Sequence, residues 1–158
     1  MRRRALAVAR LALALAVFAA GAARADPSEE APGTASASSD YTLGKKAVEA
    51  RDWATAIQLL SRAQVQDDRN ADLENLLGYA YRNAGRLEDA FRHYRAALRL
   101  NPRHRGAHEY IGEAYLMVHD LPKAEEHLAA LKQICVLACE ESEDLETAIS
   151  AYRARRRP

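Results

Sequence analysis

The most reactive side chains in this 158-residue chain are two cysteines, Cys135 and Cys139, separated by three residues. In an oxidising compartment an isolated pair this close forms a disulfide. A continuous α-helix would hold the two Cα atoms about 6 Å apart with side chains poorly aimed for bonding, so a helix is expected to end near Cys135. Two other chemistries stay open: thiolates at this spacing can ligate copper(I), or they can cycle between thiol and disulfide, although catalytic dithiols are usually spaced by two. The histidines add little to a metal reading. His104 and His108 stand at i, i+4 and supply two ligands, fewer than a closed zinc site needs, while His93 and His127 are read as solvated positions on an outer face. The acidic run Glu140-Glu141-Ser142-Glu143-Asp144 fits the start of a helix, where the macrodipole favours negative charge. The chain has no glycine-rich phosphate loop, nucleophile elbow or HExxH motif. The expectation is a protein that is not an enzyme and needs no cofactor or metal.

The first residues set the compartment. Met1-Arg2-Arg3-Arg4 opens a basic stretch, Leu11 to Ala20 is an unbroken apolar run, and Ala23-Arg24-Ala25 has the small-x-small pattern of a cleavage site. Together these read as a secretory signal peptide over residues 1–25, too short and too early interrupted by Arg10 for a membrane helix. Either the general or the twin-arginine export route fits the Arg3-Arg4 start. Removing 1–25 takes five of 23 basic residues and no acid, leaving 18 Lys and Arg against 22 Asp and Glu. A mature chain at −4 has no global attraction for nucleic acid or anionic membrane. The expected location is therefore extracytoplasmic, in the periplasm or its equivalent, without stable membrane insertion.

What must position any functional side chain is a repeat. Asp26 to Ser39 is polar, small and Pro/Gly-containing, and reads as a flexible leader. Beyond it Gly44, Gly78 and Gly112 stand 34 residues apart, as do Ala56, Ala90 and Ala124; Leu43, Leu77 and Ile111; and Trp53, Leu87 and Leu121. The glycines allow two helices to approach, and the alanines sit where the second helix crosses the first. Gly85 suits a left-handed turn between helices, and Asn101-Pro102 stops the next one. Each unit is thus helix–turn–helix with an apolar face that only stacking can bury. Leu145, Ala148, Ile149 and Tyr152 then follow the i, i+3, i+4, i+7 stripe of one more amphipathic helix. Helices are expected at 39–51, 53–66, 71–84, 87–100, 105–118, 121–134 and 143–156.

The set Leu77-Gly78, Tyr81, Gly85, Ala90, Tyr94, Ala97 and Pro102 resembles the tetratricopeptide repeat position for position. Residues 71–104 match best. Units 37–70 and 105–138 depart at Ala47, Asp68, His119 and Val136, as terminal repeats do. The resemblance implies an all-α solenoid: a leader to residue 38, three repeat units over 39–138, and a capping helix with a basic tail over 139–158.

The resemblance also implies where a ligand lies, in the concave groove lined by the first helix of each unit. Projected onto this chain, the groove comprises Tyr41 and Lys45 from the first unit, Asn75, Tyr79, Arg82 and Asn83 from the second, and Glu109, Glu113 and Met117 from the third. A ring, a guanidinium and two amides on one helix can hold an extended peptide by stacking, carboxylate pairing and backbone hydrogen bonds. The family's terminal-carboxylate clamp is not matched, since its positions here are Tyr41, Lys45, Leu76, Gly106 and Tyr110. The reading is a module that binds another protein or peptide. The alternative is a thiol-based metal or redox accessory protein built on Cys135 and Cys139.

Overall fold

The computed structural model of the chain describes residues 37–156; the expected signal peptide and most of the leader lie outside the described residues. Among the described residues seven helices follow one another: α1 (Ala37–Glu49), α2 (Trp53–Gln66), α3 (Ala71–Asn83), α4 (Leu87–Leu100), α5 (Arg105–Met117), α6 (Leu121–Ile134) and α7 (Glu140–Arg155). No helix among the described residues is long and apolar enough to cross a membrane. The expected boundaries hold within about three residues, the largest shift being α7, which starts at Glu140 on the acidic run itself.

Local chemistry explains the helix ends. Asp52, Asn70, His104 and Asp120 each accept a hydrogen bond from a backbone N–H three residues on, satisfying an otherwise orphaned donor. Each hairpin then turns through a left-handed residue: Arg51 (φ 57°), Gly85 (φ 77°) and His119 (φ 63°). These three are 34 residues apart. The repeat keeps the turn's geometry even where arginine and histidine must adopt it at a cost that glycine avoids.

Packing bears out the columns. Ala56, Ala90 and Ala124 are all completely buried. A β-carbon on Gly78 would lie 2.5 Å from the Tyr94 ring, so the α3–α4 crossing depends on its absence. Gly112 is pressed instead by Leu145 of α7. Leu145 stands 34 residues after Ile111 and continues the column Leu43, Leu77, Ile111. Helix α7 thus stands in register as the first helix of a fourth unit. It seals the end of the stack by burying Leu145, Ile149 and Tyr152 beside Leu116, Ala124 and Leu131, with Glu143, Glu146, Arg153 and Arg156 exposed.

Curvature follows from which helices touch. Among the described residues α1 packs on α3 and α3 on α5, whereas α2, α4 and α6 do not contact one another. The first helices therefore line the inner, concave side. Helix α7 packs on both α5 and α6, more extensively on α5.

Candidate functional site

The concave surface is a grid written by the 34-residue period. One column runs Tyr41, Asn75, Glu109; the next Lys45, Tyr79, Glu113; a third Val48, Arg82, Leu116; a fourth Glu49, Asn83, Met117. Consecutive columns are about one turn or less apart on α1, α3 and α5, so their side chains share one face.

At its centre the Arg82 guanidinium lies 5.3 Å from the centroids of both Tyr79 and Tyr110 and pairs with the Glu113 carboxylate. The Tyr79 and Tyr110 rings are 4.9 Å apart, and the indole of Trp53 meets Tyr79 edge-on at 5.9 Å. Burial, with the neighbouring Glu109 carboxylate, pushes the Tyr110 hydroxyl up to about 12. Tyr94 rises beneath this cluster from α4. Its hydroxyl is buried without a hydrogen-bond partner, and burial pushes its ionisation far above the ordinary tyrosine range.

Of the expected groove residues, Tyr79, Arg82 and Glu113 are brought together. The arginine is not the free guanidinium that the sequence suggested, because α5 supplies its carboxylate. Asn83 donates to the carbonyl of Tyr79 on its own helix. Asn75 is buried at the α3–α5 seam, Glu109 is buried one repeat further on, and the ammonium of Lys45 lies 5.8 Å over the Tyr41 ring. Met117 remains half exposed.

Helix α7 completes the surface in a way the sequence reading missed. A cleft of about 380 Å³ is lined by residues of α3, α5 and α7. Leu116, Met117, Ala148 and Tyr152 give it apolar walls, with the Arg82–Glu113 pair at one edge and Arg155 at another. Arg155 has no ion-pair partner among the described residues. The in-register position of Leu145 was the signal that could have placed this helix beside the groove.

The outer histidines correct an expectation. His93 is 6% exposed: its Nδ1 donates to Glu74 at 2.7 Å, and its ring stacks on Tyr81 at 5.1 Å. His127 stacks on Tyr115 and sits 2.9 Å, Nδ1 to Nδ1, from His108. His108 Nε2 is 3.1 Å from the Pro102 carbonyl. A carbonyl only accepts, so His108 carries its proton on Nε2, and its Nδ1 accepts from His127. Burial lowers both imidazoles, His127 to about 4. His104 caps α5, with Nε2 3.0 Å from Asp72 but misdirected for a hydrogen bond. Outer-helix positions that face back toward the first helix of their own unit are interior, and polar residues there pair across the hairpin.

Cys135 and Cys139 are joined by a disulfide with Cα atoms 6.0 Å apart. Cys135 follows the last residue of α6 and Cys139 precedes the first of α7, so the bond clips the connection between them. Val136 and Leu137 project from the clipped loop almost fully exposed. Bonded sulfurs are not available as metal ligands, and no group of three or more His, Cys, Asp or Glu among the described residues could hold a metal ion.

A sequence profile for the tetratricopeptide repeat matches residues 41–102 and 82–135. No curated protein matches the chain. Among solved structures the chain is similar to the first TPR of Spaghetti (RPAP3) bound to the HSP90 peptide SRMEEVD, with 19% identity and TM-score 0.65 over 74% of this chain and 93% of that one. It is also similar to the Yersinia enterocolitica type III secretion chaperone SycD in complex with a peptide of the translocator YopD: 15% identity, TM-score 0.67, 76% and 94% covered. A third is PcrH in complex with the chaperone binding region of PopD, at 19% identity and TM-score 0.67, with 76% and 92% covered. At these identities the likeness is one of fold.

Proposed function

The chain belongs to the tetratricopeptide-repeat family, and from that premise we propose that it is an exported protein-interaction module that holds an extended segment of a partner protein across its concave face. One observation carries this reading: the aromatic and charged grid of α1, α3 and α5 continues into the cleft under α7, where apolar walls meet Arg155, which has no ion-pair partner among the described residues. Partner-bound examples of the same fold, the HSP90 peptide on RPAP3 and the translocator segments on SycD and PcrH, support it. Binding rather than catalysis suits a site whose polar groups are paired structurally and whose walls are apolar.

Export rests on the basic start, apolar run and Ala23-Arg24-Ala25 of the sequence. The Cys135–Cys139 bond agrees with an oxidising, periplasm-like compartment. There the disulfide serves structure, and we place the metal or redox alternative second.

Site-specific photo-crosslinking tests the assignment. A photoreactive residue at Met117 or Lys45, on the concave face, should capture one partner from a periplasmic extract. The same group at the exposed Glu88 on α4 should capture none. Capture from Glu88 alone would move the binding surface to the outer helices.

A further inference from the structure

In the third hairpin two imidazoles face each other. His108 comes from the first turn of α5 and His127 from the middle of α6, and their Nδ1 atoms are 2.9 Å apart. Each ring is held from another side. His108 Nε2 donates to the Pro102 carbonyl at 3.1 Å, which leaves the Nδ1 lone pair aimed at His127. The His127 ring lies within 15° of parallel to Tyr115, and Tyr115 is braced in turn by Phe91 at 4.7 Å. A carbonyl on one ring nitrogen is how proteins orient the other nitrogen toward a metal. Both histidines are only half-buried, so the gap between them is not sealed from solvent.

The donor set narrows the choice of ion. No third His, Cys, Asp or Glu joins the pair among the described residues. Two nitrogens are too few for zinc, whose closed sites take four donors, and for the tetragonal arrangement of copper(II). Charge points the same way. Neither imidazole has a carboxylate partner among the described residues, and Lys123, whose ammonium lies over Tyr115, is paired with Glu126. A gap with two neutral nitrogen donors and no negative charge suits a monovalent ion with a filled d shell, which takes two donors in a line.

We propose that His108 and His127 form a two-coordinate site for copper(I) that ties α5 to α6, independent of the concave face. A linear nitrogen–metal–nitrogen unit spans about 4 Å, twice the metal–imidazole distance of about 2 Å, so the half-exposed rings must part by about 1 Å from their present 2.9 Å. Binding is ligation without electron transfer. Each Nδ1 gives a lone pair to the ion, and the proton that His127 Nδ1 now donates moves to its own Nε2, which is not among the buried unpartnered atoms. Burial already keeps both imidazoles neutral, the ligating form.

The test uses the disulfide-bonded protein with silver(I) nitrate, a redox-inert substitute for copper(I), in chloride-free buffer. Calorimetry should show one ion bound per chain. In long-range proton–nitrogen spectra both Nδ1 signals should move together while His108 Nε2 keeps its proton. His108→Gln and His127→Gln should each weaken binding at least tenfold, whereas Met117→Leu, which removes an exposed thioether, should not change it. Anaerobic copper(I) should displace the silver, and zinc(II) should bind at least tenfold more weakly than either. Imidazole signals that stay still in the wild-type protein would overturn the site whether or not any variant folds. So would full binding in His127→Gln, loss of binding in Met117→Leu, silver that copper(I) cannot displace, or zinc held as tightly as silver.

Discussion

His93 Nδ1 lies 2.7 Å from Oε2 of Glu74, in the packed interior between α3 and α4 where both residues are less than a tenth exposed. Gln64 of α2 donates to the other Glu74 oxygen at 2.5 Å, and Arg86 covers the outer face of Tyr81, the ring on which His93 stacks. Burial opposes ionisation of Glu74, but the hydrogen bonds from His93 and Gln64 outweigh it and hold the carboxyl below its ordinary range. Removing one partner of such a pair strands the other. His93→Ala should cost about 3 kcal/mol and lower Tm by roughly 10 °C, as calorimetry would show. A Tm within 2 °C of wild type would return His93 to the solvated surface that the sequence suggested.

Acid should act through the third hairpin. His127 is held neutral well below the ordinary imidazole value, to about 4, so the unfolded chain takes up its proton first as pH falls. The associated stability is complete above about pH 6.5 and is lost progressively toward pH 4. The His127-to-His108 bond itself survives this step, since His127 Nδ1 still donates, and is lost only when His108 takes a proton on its accepting Nδ1. Glu109 works the other way, being raised to about 8, and loses stability as pH rises from about 4.5 to 8. The informative quantity is therefore a difference: between pH 7 and pH 5 wild type should lose several degrees of Tm more than His127→Gln. Equal losses would remove the buried neutral pair.

The turn column offers a gain of stability. Arg51 is exposed yet holds φ of 57°, a conformation that costs a non-glycine residue about 1–2 kcal/mol. Arg51→Gly should stabilise by about 1 kcal/mol, and Gly85→Ala should destabilise by a similar amount. No atom lies within 4 Å of a β-carbon built on Gly85, so that penalty would be backbone strain alone. Opposite shifts in a denaturant titration check both.

This column shows how far the sequence could be read. A period of 34 fixes which face of each helix meets its neighbour, so helices, crossing alanines and glycine contacts were all legible. Pairs that join columns were not. Glu74 with His93, 19 residues apart, and Arg82 with Glu113, 31 apart, depend on how two helices rotate against each other. No periodicity states that angle. Helix α7 was legible as an amphipathic cap, but its register with Ile111, and therefore its place beside the groove, shows only once Leu145 is aligned with a column that appeared to have ended.

The clipped loop should matter little to folding. Closing so short a segment contributes about 2 kcal/mol at most in the chain-entropy account, and α7 keeps its apolar anchors without it. Cys135→Ser/Cys139→Ser should retain its helical circular dichroism and lose only a few degrees of Tm. Loss of partner binding at retained stability would instead make the thiols, or the exposed Val136 and Leu137 they hold, part of the functional surface.

The cleft under α7 gives the cleaner test of where a partner sits. Arg82 is a poor probe, because truncating it would strand Glu113 and open the Tyr79–Tyr110 cluster, confounding binding with stability. Met117 and Arg155 are exposed, line the cleft from α5 and α7, and have no ion-pair partner among the described residues. Met117→Ala/Arg155→Ala should leave Tm within about 1–2 °C, since surface substitutions away from such networks are usually within about 0.5 kcal/mol. An apolar anchor and a charge removed from the centre of an interface commonly cost about 2 kcal/mol or more, some thirtyfold in affinity. Partner capture should therefore fall at least that far at unchanged fold. The matched control is Glu88→Ala/Arg92→Ala on the outer face of α4, where Arg92 pairs with Asp89, and capture there should not change. Full retention in the cleft variant together with loss in the control would place the partner on the convex surface and sink the assignment.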